Sequence, residues 1–193
     1  MNRSVISHLH LLVVCICLSG CPESVPGPVE RESGVVAADT VDGFVVWVEA
    51  GVLAGSPAPE KAPGGVAAWL DGISEAGSGP LAILNLREYA DPDFGDSVAA
   101  TLQVPIADFK VPTIEQANAA LEFISANRIA GRTVVVHCQG GCGRTGTILA
   151  LYLRQVRGLD GAESIAELRA LEPCFVETKE QQDFVRDFVF TPR

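Results

Sequence analysis

Cys138 and Arg144 sit on either side of a glycine-rich run in "HCQGGCGRTG", His137 to Gly146. A thiol and a guanidinium at that spacing can reach one substrate atom if the chain between them curls, and Gly140, Gly141 and Gly143 allow it to curl. "RTVVVHC" before the loop reads as a buried strand, and "GRTGTILALYLRQVRG" after it reads as a helix. Strand, glycine loop and helix in that order turn successive backbone N–H groups toward one point at a helix N-terminus. A tetrahedral anion binds there. The same field favours the thiolate form of Cys138. Arg144 offers a planar, bidentate clamp for two phosphoryl oxygens. The stretch therefore combines an activated nucleophile with a phosphoryl site in front of it.

Competing chemistries fit less well. A nucleotide-binding P-loop needs Gly-Lys-Ser/Thr, and this loop has Arg144-Thr145-Gly146. A thioredoxin-type pair needs two residues between its cysteines, whereas Cys138 and Cys142 have three. Sulfur transfer also uses a cysteine in an anion-binding loop, but leaves Arg-Thr-Gly at this offset unexplained.

The ten residues from His137 to Gly146 resemble the signature of the cysteine-dependent protein tyrosine phosphatase superfamily, in its dual-specificity-like branch. The resemblance implies that Cys138 attacks phosphorus and forms a cysteinyl-phosphate. Arg144 then binds the equatorial oxygens, and Thr145 donates its hydroxyl to the sulfur. The loop residues Gln139, Gly140, Gly141, Cys142 and Gly143 wrap the phosphate, and His137 orders the loop from behind. The branch also uses an Asp as general acid, thirty residues before the cysteine and four before a Pro. Asp108 and Pro112 in "VPIADFKVPT" match. "CFVETKEQQDF" is similar to a segment of small atypical bacterial and archaeal members in which a Gln positions the attacking water. Gln181 matches that place, with Gln182 as its neighbour. "ILNLREYADP" resembles the strand and turn that lead into the acid loop.

The resemblance runs from about Gly51 to Phe188 and implies metal-independent hydrolysis of phosphomonoesters without a cofactor. The substrate would be a phosphorylated protein, on phosphotyrosine or phosphoserine/threonine, or a small phosphomonoester. A different class of function is a catalytically weak phosphate- or phosphoprotein-binding envelope lipoprotein. One departure is "LRALEPCF", with Glu172 and Cys174 where basic residues and Pro-Gly are usual. The loop itself carries no Lys, which favours a phosphoprotein over a polyanion. Asp91, Asp93 and Asp96 in "ADPDFGD" read as a solvated turn.

The elements that must position these residues are legible in outline. Two apolar runs split by Gly51 suggest a hairpin, Val66–Glu75 a helix, Leu81–Leu86 a buried strand and Ser97–Ile106 another. A helix should start at Pro112-Thr113 and stop at Gly131. Helices at Ala162–Leu171 and Lys179–Phe188 complete the chain. Strands alternating with helices predict a single α/β domain with a central, mostly parallel sheet flanked by helices, the protein tyrosine phosphatase-like fold of the resemblance.

The chain has 193 residues, 48% of them apolar, enough for one domain with a core. A net charge of −10 argues against a nucleic-acid partner. Its first residues, one Arg followed by an apolar run from Leu9 to Leu18, have the layout of a secretory leader. Leu18-Ser19-Gly20-Cys21 resembles the bacterial lipobox, in which Cys21 would carry a lipid. The expectation is a signal peptide at 1–20, a flexible tether at 21–43 and the phosphatase-like domain at 44–193. The product would be a monomer anchored in the bacterial envelope, facing the periplasm or exterior. Removing the leader takes away His8 and His10, so neither a Ser-His-Asp triad nor a multi-histidine zinc site can be assembled. It leaves Cys138, Cys142 and Cys174 as thiols. In an oxidising compartment Cys138 can pair with Cys142, with Cys174 as a rival partner.

Overall fold

The structure is a computed structural model that describes residues 44–190. The expected leader, Cys21 and the tether at 21–43 lie outside the described residues. Five strands form one sheet in the order β1-β2-β5-β3-β4, with β1 Val46–Glu49, β2 Leu53–Ser56, β3 Leu81–Asn85, β4 Ala100–Gln103 and β5 Thr133–His137. β1 and β2 are the expected hairpin and pair antiparallel, while every other pairing is parallel. The predicted α/β class and mostly parallel sheet are therefore observed.

Side chains alternate across the strands and divide the core between two faces. Ala82, Leu84, Val134 and Val136 point to one face, which is covered by α2 (Ile114–Ile129), α3 (Gly143–Arg157), α4 (Gly161–Leu171) and α5 (Lys179–Asp187). Leu81, Ile83 and Val135 point to the other, where Trp69 and Ile73 of α1 (Gly65–Ala76) meet them. Full burial of each such aliphatic or aromatic side chain stabilises the fold by roughly 1.5–3 kcal/mol. None of the helices among the described residues is long and apolar enough to cross a membrane.

The helix starts follow from local chemistry. Thr113, Asp160 and Thr178 cap α2, α4 and α5, each in a reciprocal capping box with the residue three positions on. Ser97–Ile106 was expected as one strand, but only Ala100–Gln103 is regular. Beyond Gln103 the register slips, with the chain advancing two residues while its partner on the β3 side advances one. Val104 and Ile106 still donate to Asn85 and Leu86 at 2.8 and 3.1 Å, so the chain runs beside β3 irregularly toward Asp108.

Candidate active site

Parallel pairing brings strand ends to a common edge. Ser56, His137, Asn85 and Gln103 form one row across β2, β5, β3 and β4 at the carboxyl end of the sheet. Cys138 follows directly, 2% exposed. The chain then curls through Gln139–Cys142 into α3, whose N-cap residue Cys142 makes no side-chain cap. Gly141 is required at its position. Its φ is +78°, and a Cβ there would lie 2.6 Å from the Pro57 nitrogen, because the loop packs on the end of β2.

The loop forms the floor of a cavity of about 270 Å³ whose walls include Lys61, Asp108, Phe109, Arg144 and Gln181. A larger hollow of about 490 Å³ lies between the 90–95 turn and β4. Neither Cys138 nor Arg144 lines it, so the smaller cavity is the candidate site.

Arg144 is buried and doubly held. It donates to the Ile106 carbonyl at 2.9 Å and pairs with Asp108 Oδ1 at 2.6 Å. Asp108 itself is half-exposed at the cavity mouth, and its Oδ1 also accepts from the Phe109 N–H at 3.1 Å. The predicted nucleophile, clamp and acid thus meet at one cavity. The Thr145 hydroxyl is buried without a hydrogen-bond partner among the described residues. Gln181, which a solvated helix face would leave exposed, is fully buried. Its side-chain oxygen accepts from the Thr178 N–H at 3.1 Å, its amide donates to the Lys110 carbonyl at 3.2 Å, and it lies over Gly143. Gln182 does not line the cavity.

Three features depart from the sequence expectations. The first is Asp91, expected in a solvated turn. Its carboxylate faces His137 Nε2 at 3.0 Å and Arg87 at 2.5 Å, with its side chain only 11% exposed. Arg87, 1% exposed, also pairs with Glu60 and reaches Gln139 of the loop at 3.4 Å. Burial pushes its pKa down, but the hydrogen bonds and charges of Glu60 and Asp91 outweigh burial and raise it. Tyr89 stacks on this guanidinium and hydrogen-bonds Gln139. Only Asp93 and Asp96 of the acidic turn keep the expected exposure.

The second departure concerns the thiols. Cys142 and Cys174 are joined in a disulfide with Cα atoms 5.1 Å apart, and Cys138 is the free cysteine among the described residues. The Cys138–Cys142 pairing is therefore not the one formed, and Cys142 closes the glycine loop as half of a cystine. Third, Lys61 supplies a second cation at the cavity wall, beside Arg144, although the loop carries no Lys. Its place on the 3₁₀ turn Pro59–Lys61 is set by β2, and no motif marks it.

A family profile described as Tc-R-P, polymorphic toxin system, DSP-PTPase phosphatase, matches residues 62–157. An uncharacterized protein of Methanocaldococcus jannaschii is 43% identical over 91 residues, 46% of this chain and 59% of that protein. The phosphatidylglycerophosphate phosphatase PTPMT2 of Arabidopsis thaliana is 30% identical over 88 residues, 45% of this chain and 39% of its own length. The chain thus spans about half the length of the curated relatives it matches. Among solved structures, the active form of Tk-PTP aligns with a TM-score of 0.61 at 29% identity, covering 74% of this chain and 94% of that one. DUSP15 aligns with a TM-score of 0.64 at 22% identity, over 76% and 87% of the two chains, and shares the fold. Profile and fold agree with the loop chemistry: residues 62–157 belong to a domain of the dual-specificity/protein tyrosine phosphatase-like family.

Proposed function

We propose that this chain hydrolyses phosphomonoesters through a cysteinyl-phosphate intermediate, acting on phosphotyrosine and/or phosphoserine/threonine. The observation that carries the reading is the convergence of Cys138, Arg144 and Asp108 on one cavity, with Arg144 joining the acid loop to the phosphate loop. The Cys138 thiolate attacks phosphorus while Arg144 and the loop N–H groups hold the equatorial oxygens. Asp108 protonates the departing ester oxygen. Water then attacks the cysteinyl-phosphate, Asp108 takes its proton, and Thr145 hydrogen-bonds the leaving sulfur. Gln181 lies over Gly143, where it can orient that water, although its two polar atoms already serve Thr178 and Lys110. No step calls on a metal.

The reading places the domain outside the cytoplasm on a lipid anchor at Cys21, as the lipobox-like leader suggests. Relatives described as a phosphatidylglycerophosphate phosphatase and as dual specificity protein phosphatase 15 of Homo sapiens support phosphomonoesters as the substrate class. The contrasting reading, a phosphate-binding lipoprotein without turnover, leaves the Asp108–Arg144 pairing at the cavity without a purpose.

The test is para-nitrophenyl phosphate turnover in the presence of a chelator, with acid-quench trapping of the phosphoenzyme. Turnover with label on Cys138, absent from Cys138→Ser, is expected. No turnover by any preparation between mildly acidic and neutral pH would remove the hydrolase reading.

A further inference from the structure

The phosphate loop and the first turn of α3 meet the segment from the α4–α5 connection into the first turn of α5 at three successive points. Cys142 is bonded to Cys174. One residue on, Gly143 lies so close to Gln181 that a Cβ would meet its amide at 2.7 Å. One helical turn further, Gly146 abuts the backbone of Phe175 and Val176 at 2.5–2.9 Å by the same measure. The segment so held is itself strained. Val176 is β-branched yet has φ +57°, a conformation that persists only where its surroundings enforce it. Arg169 helps, donating to the Phe175 and Val176 carbonyls at 3.0 and 2.7 Å. The same segment continues into Glu177 and Gln181, which wall the cavity.

We propose that the Cys142–Cys174 disulfide is a positioning element of the phosphate site, which is therefore fully formed only in the oxidised protein. The inference builds on the hydrolase reading of that site. Cys142 occupies the N-cap of α3 without capping it, so its side chain serves the 174–181 wall through the covalent link, beside the close packing of Gly143 and Gly146. Both cysteines are half-buried, within reach of small reagents. The bond forms by exchange with a small disulfide, which leaves as two thiols. A phosphine reverses it, taking up the oxygen of water as the two cysteine thiols return. Pairing also consumes both thiols nearest the nucleophile's loop. Cys138 then has no free intramolecular thiol to trap it among the described residues.

The experiment uses the full chain, equilibrated with a glutathione disulfide buffer and compared with phosphine-reduced protein. Alkylation and digestion of the oxidised form should give a peptide linking Cys142 to Cys174 and an alkylated Cys138. Tungstate, a tetrahedral oxyanion, reads the site without turnover. Reduction should weaken its binding about tenfold, equivalent to about 1.4 kcal/mol, with far-UV circular dichroism unchanged. The KM for para-nitrophenyl phosphate should rise in parallel and recover on reoxidation. Cys174→Ser and the Cys142→Ser, Cys174→Ser double variant should sit at the weak value and ignore the phosphine. A disulfide involving Cys138, or equal tungstate affinity in the two redox forms of wild type, overturns the proposal. If tungstate binding switches while neither form turns over, the positioning role stands and the hydrolase reading falls.

Discussion

The Asp91 carboxylate holds the ring of His137, the residue immediately before Cys138, and the same carboxylate neutralises the buried Arg87. A carboxylate accepts hydrogen bonds, so the Nε2 proton of His137 points to Asp91. The ring packs edge-on against Trp69, whose indole N–H donates to Ser56 at the end of β2. The strand ends beneath the loop are therefore fixed by one connected set of polar and aromatic contacts.

Asp91→Ala should cost about 3 kcal/mol of stability, because a buried guanidinium loses one of its two carboxylates. Asp91→Asn keeps the shape and should cost less. Urea unfolding of the three proteins measures the difference. Equal midpoints would show that Glu60 alone satisfies Arg87.

Asp108→Asn should lower turnover of an alkyl phosphate by roughly 10²–10⁴-fold. The loss on para-nitrophenyl phosphate should be smaller, since that leaving group needs little proton donation. The ratio of the two losses, measured as kcat, is the readout. A uniform loss on both substrates would instead assign Asp108 to holding Arg144.

Gly146→Ala places a methyl group against the Val176 N–H and should destabilise the fold by about 1–3 kcal/mol through overpacking. Thermal unfolding monitored by circular dichroism tests this. Gly95→Ala isolates backbone strain from overpacking, since nothing lies near its missing Cβ while its φ is +55°.

Much of this site is readable along the chain because its chemistry is local. Cys138, the glycines and Arg144 lie on one strand-loop-helix unit, so their spacing alone fixes their geometry. Asp108 and Gln181 become visible through segments that resemble known ones. Asp91, Lys61 and the Cys142–Cys174 bond are different. Each acquires its role from a neighbour distant in sequence, which only the sheet order and helix packing bring close. Asp91 in particular sits among acids in a polar turn, and composition there speaks only for solvent. The end of β4 is hidden for the same reason, since the slip that pairs Ile106 with Leu86 depends on the path of β3.

Gln181→Ala should remove the reciprocal cap of α5 and its bond to Lys110, costing about 1 kcal/mol. If Gln181 also orients the attacking water, the variant should accumulate phosphoenzyme, seen as a larger burst with slower steady state. Gln182→Ala should do neither. A normal burst in Gln181→Ala would confine its role to the cap.

β5 is the central strand, and its partners β2 and β3 come from the other half of the chain. Such non-local pairing forms late, after the entropy of closing long loops has been overcome. Until β5 inserts, Cys138 has no cavity before it, and Arg144 has no Asp108 or Ile106 to aim it. The nascent chain thus carries six unremarkable cysteines. Chemical individuality among them is conferred by topology: the order of strands selects which sulfur stays free at the floor of the cavity and which two become a cross-link.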